Sequence, residues 1–297
     1  MMKSAFAAII GRPSAGKSTL LNKMCGEKVS IVSKAPQTTR NAIRGIVTRA
    51  DIGQIVFIDT PGRHASEKKM NKRLMDVSER ALADSDLVLY VIDASREAGN
   101  EEEEIASLLE PLAEKIIIAV NKTDLPSVSL EKTKDFINKR FKDISDGRIF
   151  PVSAYCGQGV DELLSALFKM APEGQPMYDP EYYTDQDTEF RITEIIREQA
   201  INRLRQELPH CLYVEIADME FKEEKLWVRA FIIVERESQK GMVVGKGGAM
   251  IKAIRTGSLK NLKNIFDWKI DLDLRVKTGK DWRHNDNTLR KIIDRQN

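Results

Sequence analysis

One segment near the N-terminus has the residue types and spacing to bind a nucleoside triphosphate. Residues 11–18 (GRPSAGKS) match the phosphate-binding pattern G-x-x-x-x-G-K-[ST], between an apolar strand-like run and a helix-like stretch. Such glycines let backbone N–H groups surround a phosphate at the positive end of a helix. Lys17 would contact the β and γ phosphates, and Ser18 would bind Mg²⁺. The predicted nucleotide contacts are Gly11, Ser14, Ala15, Gly16, Lys17, Ser18 and Thr19.

A second segment, residues 59–62 (DTPG), ends the next long apolar strand. A carboxylate at the end of such a strand suits the role of holding Mg²⁺ through water, so Asp59 is a candidate metal residue. Gly62 can offer its N–H to the γ-phosphate, which makes it a candidate catalytic residue beside Lys17. An aspartate at a strand end is commonplace, and it is the preceding phosphate loop that favours the metal role.

Two further segments favour guanine over adenine. Residues 121–124 (NKTD) end another apolar strand, and the Asp124 carboxylate can accept both N1–H and N2–H of guanine, a donor pair that adenine lacks. Asn121 can connect this loop to the phosphate loop, and the Lys122 stem can stack on the base. Ser153 and Ala154 close the last strand, where the Ala154 N–H can bond guanine O6. These groups predict GTP as the nucleotide, because buried polar groups left unpaired discriminate strongly against a wrong base.

Alternating strands and helices must position these segments. Nearly continuous apolar runs at 5–10, 55–59, 87–93, 115–121 and 148–154 alternate with helix-like stretches at 17–25, 68–84, 101–113 and 130–142. This order predicts an α/β domain over residues 1–170, with a doubly wound, mainly parallel sheet and one more edge strand at 42–48. Residues 171–180 hold three prolines and a glycine, which indicates a linker.

Beyond the linker, residues 181–297 follow a different pattern. A long amphipathic helix over 188–207 and two strands precede a glycine-rich turn, a basic helical stretch, another strand and a short C-terminal helix from about Asn287. If the basic stretch forms two helices, the order is α-β-β-α-α-β, a smaller α+β domain. Residues 238–263 carry six basic side chains and no acidic one, which indicates a polyanion-binding surface or, alternatively, a solvated helix face.

Composition narrows the class of protein. No apolar run approaches the roughly 18 residues that a membrane-spanning helix needs. The chain has three widely spaced cysteines, Cys25, Cys156 and Cys211, which argues for a reducing compartment rather than a disulfide framework. Both observations predict a cytoplasmic protein.

The four nucleotide-binding segments, in this order, resemble the Ras-like GTPases of the translation-factor-related class. Residues 36–40 (PQTTR) then look like the first switch, and the resemblance implies that Thr39, rather than Thr38, meets Mg²⁺ and the γ-phosphate. Arg63 follows DTPG where many Ras-like proteins have a water-positioning Gln. Arg63 and His64 could act on the phosphate or on water, but a solvated role is favoured for both. Ser14-Ala15 replaces the Asn-Val of close relatives, and in some relatives that Asn helps hold K⁺.

The second domain resembles a KH domain, whose G-x-x-G loop clamps about four single-stranded nucleotides. The matching residues are Gly245, Lys246, Gly247 and Gly248, with Lys252 on the following helix. The pairing of a GTPase domain with this module resembles a family of bacterial ribosome-assembly GTPases over essentially the whole chain. The resemblance implies binding to the 3′ end of 16S ribosomal RNA, a role in 30S subunit assembly and peripheral association with the inner membrane. We expect the protein to be a monomer.

Two other functions are compatible with the residues. The chain could be a nucleotide-gated RNA chaperone or scaffold whose hydrolysis is incidental, which single-turnover hydrolysis with and without RNA would distinguish. A P-loop kinase is the third reading, but it lacks a recognisable acceptor pocket and leaves NKTD unexplained.

Overall fold

The structure, a computed structural model, describes residues 1–33, 35, 38–62, 69–126 and 128–293. The chain forms two compact units that do not follow the order of the sequence strictly. The first consists of Met1–Ser30 and Thr39–Asp185. The second contains the described residues of Ile31–Thr38 together with residues 186–293. A short segment from the early part of the chain is therefore grouped with the C-terminal half.

The first unit is built on a sheet with strand order β2-β3-β1-β4-β5-β6. All neighbouring pairs are parallel except β2 and β3, so the predicted doubly wound, mainly parallel fold is confirmed. Every residue of β3, β4 and β5 is buried, which explains their continuous apolar sequences. The strands are β1 (Lys3–Ile10), β2 (Ile43–Arg49), β3 (Gly53–Asp59), β4 (Leu87–Asp93), β5 (Ile116–Asn121) and β6 (Ile149–Pro151).

Helices cover both faces of this sheet. They are α1 (Lys17–Cys25), α2 (Lys69–Ala83), α3 (Asn100–Leu109), α4 (Leu130–Arg140) and α5 (Val160–Met170). The helix predicted over 101–113 is shorter than expected, because α3 ends at Leu109 and a 3₁₀ turn over Glu110–Lys115 follows. Pro111 has no N–H to continue the α-helical bonding, so the chain tightens there.

Residues 171–185 belong to the first unit. The side chain of Gln54, buried in β3, accepts hydrogen bonds from the N–H groups of Met177 (2.8 Å) and Tyr178 (2.9 Å) and donates to the Tyr178 carbonyl (2.9 Å). Ser4 N donates to the Pro172 carbonyl at 3.0 Å. The segment predicted as a linker from its prolines is thus hydrogen-bonded to the sheet. The first unit ends at Asp185, and the second resumes at Gln186.

The second unit has a sheet with strand order β7-β8-β9, in which β7 and β8 are antiparallel and β8 and β9 are parallel. Its elements are α6 (Thr188–Arg203), β7 (Leu212–Lys222), β8 (Lys225–Val234), α7 (Glu237–Val244), α8 (Ala249–Leu262), β9 (Lys269–Thr278) and α9 (Asp286–Ile293). The basic stretch does split into two helices, α7 and α8, so the α-β-β-α-α-β order expected from the sequence is observed. Apolar side chains of α6, α8 and the three strands form one core.

Helix α6 differs from the amphipathic helix that the sequence predicts. It ends at Arg203 rather than Glu207, and all of its residues from 192 to 201 are buried, polar ones included. Part of the reason is that the described residues of Ile31–Thr38 lie against it. Val32 N donates to Glu198 Oε1 at 2.8 Å, and Arg197 Nη2 donates to the Thr38 carbonyl at 2.6 Å. A polar face that the sequence assigns to solvent therefore binds another part of the same unit.

Candidate nucleotide and RNA sites

The phosphate loop lies between the end of β1 and the start of α1, as the motif requires. Gly16 has φ 97°, and a Cβ there would lie only 2.3 Å from Asn121 Nδ2, so a larger residue is excluded. Lys17 Nζ donates to the Gly11 carbonyl (2.9 Å) and the Arg12 carbonyl (3.1 Å), which holds the ammonium inside the loop. Burial lowers the pKa of Lys17, although the carboxylates of Asp59 and Glu102 oppose the shift.

Three predicted metal residues converge beside this loop. Ser18 Oγ donates to Asp59 Oδ2 at 2.5 Å and lies 3.0 Å from Thr39 Oγ1, which is itself 3.4 Å from Asp59 Oδ2. Asp59 Oδ1 is buried and has no hydrogen-bond partner among the described residues. Hydroxyl and carboxylate oxygens are the donors that Mg²⁺ prefers, so the residues present fit this ion. Burial raises the pKa of Asp59, and a bound cation would lower it again by stabilising the charged carboxylate.

The structure separates the two threonines of the switch. Thr39 lies in the oxygen cluster with Ser18 and Asp59, whereas Thr38 Oγ1 donates to the Ala35 carbonyl at 2.7 Å. Ser30 also reaches the cluster, because its Oγ donates to Asp59 Oδ2 at 2.9 Å and is buried. Sequence reasoning missed Ser30, which lies in irregular chain with no motif or periodicity around it.

The predicted base-binding residues meet at the carboxyl ends of β5 and β6. Asn121 Nδ2 donates to the Ala15 carbonyl at 2.8 Å, so this side chain joins the base-binding loop to the phosphate loop. Ser153 Oγ donates to Asp124 Oδ1 at 2.6 Å. The Ala154 N–H, which the sequence assigns to guanine O6, donates to Asn121 Oδ1 at 2.9 Å, so a base could only share this donor.

The segment after β3 passes close to the phosphate loop. Thr60 Oγ1 donates to the Ile9 carbonyl at 2.8 Å, and a Cβ on Gly62 would lie 2.9 Å from Pro13 Cα. Gly62 therefore stands where only a glycine fits beside the loop. Arg63 and His64, together with Pro36 and Gln37 of the switch, lie outside the described residues.

Sequence reasoning also missed a buried charged cluster next to the phosphate loop. It is formed by Arg12, Tyr90, Asp93 and Glu102, with Lys122 at its edge. Arg12 stands at a variable position of the phosphate-loop motif, and Asp93 is an ordinary strand end. The only signal in the sequence was the charge itself, at the end of the apolar run 87–93.

In the second unit, the glycine turn joins α7 to α8. Gly247 (φ 60°) and Gly248 (φ 77°) have left-handed backbone, and a Cβ on either would meet no described atom within 4 Å. Gly245 differs, since a Cβ there would lie 2.7 Å from Met250 Cβ. The turn thus combines one packed glycine with two that leave open space over the N-terminus of α8.

The basic stretch presents fewer free cations than its sequence suggests. Arg255 Nε donates to the Leu272 carbonyl at 2.5 Å, and its guanidinium lies 3.3 Å from Asp271 Oδ1, so this residue braces β9. Lys240 Nζ lies 3.5 Å from Glu237 Oε2. The exposed lysines of the stretch are Lys246, Lys252, Lys260 and Lys263.

Fold and site together define a P-loop GTPase joined to a KH module. A family profile described as "50S ribosome-binding GTPase" matches residues 6–122, and one described as "KH domain" matches residues 207–283. GTPase Era of Treponema denticola is 54% identical over 98% of this chain and 99% of its own length. The chain belongs to the Era family of GTPases, which confirms the resemblance, the two-part fold and the assignment as an enzyme that hydrolyses GTP.

Solved structures agree over the same length. The chain resembles a single-residue variant of Aquifex aeolicus Era bound to GDP and AlF₄⁻, with a TM-score of 0.93, 32% identity and coverage of 98% and 99% of the two chains. It also resembles Era in complex with MgGDPNP and nucleotides 1506–1542 of 16S ribosomal RNA, with a TM-score of 0.92, 32% identity and the same coverage. Among the described helices, none is long and apolar enough to cross a membrane.

Proposed function

We propose that this chain is a GTP-hydrolysing switch that binds the 3′ end of 16S ribosomal RNA and acts in assembly of the 30S subunit. Family membership and the related complex of Era with that RNA support the proposal. The observation that carries it is the pair of open left-handed glycines, Gly247 and Gly248, at the start of a helix with exposed lysines. An RNA backbone can approach such a turn without meeting a side chain.

In the proposed nucleotide site, Ser18, Thr39 and Asp59 hold Mg²⁺, which neutralises charge on the β and γ phosphates. Lys17 exchanges the carbonyls of Gly11 and Arg12 for phosphate oxygens and so brings a second positive charge to the reacting group. Gly62 donates its N–H to the γ-phosphate, and Thr39 contacts the same phosphate. The remaining contacts to the phosphates come from Gly11, Ser14, Ala15, Gly16 and Thr19.

The proposed base site uses Asp124 for guanine recognition. Its Oδ1 accepts a hydrogen bond from Ser153 Oγ at 2.6 Å, which limits rotation of the carboxylate that would accept N1–H and N2–H of guanine. Asn121 fixes the distance from base to phosphates through its bond to Ala15, and the Lys122 stem covers one face of the ring. Ala154 completes the site through a shared N–H.

In the proposed RNA site, Gly245, Lys246, Gly247, Gly248 and Lys252 clamp the backbone of about four nucleotides. The positive end of α8 and the two lysines attract phosphates, and the bases would be read by neighbouring surfaces. These residues lie in the part of the chain that matches the KH profile.

Single-turnover GTP hydrolysis, measured with and without an RNA of the 16S 3′-end sequence, tests the switch. We expect the RNA to change the hydrolysis rate, with a scrambled RNA as control, because a timer must be coupled to its target. Equal rates with tight RNA binding would support the chaperone or scaffold function instead. Crosslinking of bound RNA in cells would identify the target independently.

We also propose that the protein is monomeric and cytoplasmic, and, from the family resemblance, that it makes peripheral contact with the inner membrane. Sedimentation at micromolar concentration tests the monomer. Co-flotation of the full chain with vesicles of anionic phospholipid, at physiological salt, tests the membrane contact, and recovery only in the bottom fraction would contradict it.

A further inference from the structure

The carboxylate of Asp93 lies between the two loops that form the nucleotide site. Asp93 ends β4, next to β1 in the sheet, and its side chain is 2% exposed. Its Oδ2 accepts a hydrogen bond from Lys122 Nζ at 2.8 Å and lies 3.1 Å from Arg12 Nη2. Arg12 belongs to the phosphate loop and Lys122 to the base-binding loop, so one oxygen atom contacts both.

The other side of this carboxylate is fixed as well. Asp93 Oδ1 accepts hydrogen bonds from Ser95 N (3.0 Å) and Ser95 Oγ (2.5 Å). Burial alone would raise the pKa of Asp93, but the bonds from Lys122 and Ser95 outweigh it and leave the pKa below its usual value. Asp93 is therefore a charged group with little freedom to rotate, as a bridge between two loops requires.

Arg12 is held from a second direction by helix α3. Its Nε lies 3.0 Å from Glu102 Oε2, though not in hydrogen-bond geometry, and Glu102 Oε1 accepts a bond from the Tyr90 hydroxyl at 2.8 Å. Glu102 is 2% exposed, and burial raises its pKa. The guanidinium is thus fixed between two buried carboxyl groups. Because Arg12 is part of the phosphate loop, these contacts also restrict the position of that loop.

Lys122 needs such an anchor because its backbone is unusual. Its φ of 69° lies in the left-handed region, which residues with a Cβ adopt rarely. A non-glycine residue keeps this conformation when its surroundings hold it there. Leu125 N donates to the Lys122 carbonyl at 3.1 Å and holds the backbone of this turn, while the bond from the ammonium to Asp93 holds the end of the side chain.

We propose that Asp93 is a positioning residue that joins the phosphate-binding and guanine-binding loops and thereby sets how long a guanine nucleotide stays bound. The inference rests on the proposed nucleotide site. It extends that site, because neither the phosphate-loop motif nor NKTD contains Asp93. A purely structural ion pair would stabilise the fold without linking the two loops.

Dissociation of fluorescently labelled GDP from the full chain tests the proposal. We expect Asp93→Asn to speed dissociation about tenfold, within the range for side chains of one ion-pair network. Asp86→Asn is the control, since Asp86 precedes the same strand and accepts a bond from Phe6 N at 2.9 Å, far from the nucleotide loops. The control should dissociate GDP within about twofold of the parent chain. Equal rates for folded Asp93→Asn and the parent would overturn the proposal.

A double-mutant cycle tests the link itself and does not depend on Asp93→Asn being stable. Arg12→Gln and Lys122→Gln are made singly and together. If the loops are joined, the two effects on GDP dissociation should be non-additive by at least about threefold. Additive effects would overturn the proposal. Where Asp93→Asn folds, the coupling should also vanish in that background.

The parent chain separates this proposal from the one on which it rests. Failure of the parent to bind GDP at all would contradict the nucleotide site. Tight GDP binding by the parent with unchanged kinetics in folded Asp93→Asn would contradict only the role of Asp93.

Discussion

In the proposed base site, guanine recognition depends on a single carboxylate, that of Asp124. Ser153 Oγ donates to its Oδ1, so in Asp124→Asn the amide oxygen would take that position and the NH₂ group would face the base. Two donors would then oppose the N1–H and N2–H donors of guanine. We expect GTP affinity to fall by about 10³-fold or more while xanthosine triphosphate binds better, measured by competition with labelled nucleotide. Unchanged GTP affinity would contradict the base site.

Ser14 should determine the response to potassium. It is exposed in the phosphate loop with φ 63°, a conformation that Asn tolerates well, and it stands where some relatives use Asn to hold K⁺ beside the phosphates. We expect slow intrinsic turnover, on the order of 10⁻⁴ to 10⁻² s⁻¹, with little change when K⁺ replaces Na⁺. Ser14→Asn should create or increase a K⁺ response. Strong K⁺ activation of the unchanged chain would contradict this.

The three cysteines should react in a fixed order. Cys156 is exposed, and the hydrogen bond with Ser153 lowers its pKa, whereas burial raises the pKa of Cys25 to about 12 and also raises that of Cys211. Because pH 8 is far below the pKa of Cys25, this side chain stays a protonated thiol, which reacts slowly. Iodoacetamide followed by mass spectrometry should therefore find Cys156 labelled first. Faster labelling of Cys25 than of Cys156 would contradict this expectation.

Much of the site could be predicted at the residue scale, because each motif ends a strand and parallel strands end at one edge. Asp59 and Asn121 could be assigned in this way. The link through Asp93 could not, since an Asp at a strand end and an Arg at a variable loop position are both ordinary. Ser30 could not either, because it carries no pattern. What decides these roles is proximity between distant segments.

At the scale of elements, the turn between α7 and α8 should control RNA affinity. Gly247→Asp adds a negative charge over the N-terminus of α8, where no described atom lies within 4 Å of the new Cβ. We expect RNA affinity to fall at least about tenfold in a filter-binding assay while GDP binding is retained.

Gly26→Asp is the matched control for this substitution. Gly26 has φ 71° and equally open space, but it follows α1 in the first unit. Its backbone strain and added charge are therefore similar, and RNA affinity should stay within about twofold of the parent chain. Equal losses in both variants would show that the turn has no special role.

The exposed lysines of α8 and its flanks should also set the salt dependence of RNA binding. Lys246, Lys252, Lys260 and Lys263 are exposed, whereas Lys240 and Arg255 have acidic partners. For about four neutralised phosphates, log K should fall with log salt at a slope of about −3 on single-stranded RNA. A slope near zero would contradict a phosphate-binding surface.

Strand and helix types were predictable from apolar runs, but helix ends and burial were less so. Pro111 determines where α3 ends. The sequence contains this signal, but the apolar pattern that continues beyond it predicts a longer helix. Helix α6 is buried around its circumference because residues from a distant segment supply partners for Arg197 and Glu198. Periodicity reports the core-facing side of a helix and cannot report such a partner.

At the scale of the whole molecule, α6 should affect nucleotide affinity, because it binds the residue that precedes Thr39 in the sequence. Arg197 Nη2 donates to the carbonyl of Thr38, the residue before the proposed Mg²⁺ ligand Thr39. Arg197→Lys keeps the charge but removes the guanidinium fork. The guanidinium also donates two hydrogen bonds to Glu194, which an ammonium cannot reproduce together with the bond to Thr38. We expect affinity for a GTP analogue to fall about tenfold, with GDP affinity within about twofold. Arg203→Lys, whose guanidinium bonds Gln199 of the same helix, is the control.

Equilibrium titration with a non-hydrolysable GTP analogue and with GDP measures this effect. Equal losses for both nucleotides would indicate damage to the fold rather than to the switch. The order of the two domains was predictable from composition and motifs. That the described residues of Ile31–Thr38 group with the C-terminal half was not, because no local pattern identifies a partner some 160 residues away.

The hydrogen bonds of Val32 and Thr38 with α6 also affect how the chain folds during synthesis. Val32 N and Glu198 Oε1 are separated by 166 positions in the chain, so this contact can form only after α6 has been translated. At about 5–20 residues per second, the early segment must wait roughly 8–30 s for its partner. During that interval, the sheet of the first unit can assemble, while Val32 and Thr38 lack their hydrogen bonds with α6. The nascent chain should therefore acquire a folded sheet first, and the contacts of the segment before Thr39 only after α6 has been translated, about two thirds of the way along the chain.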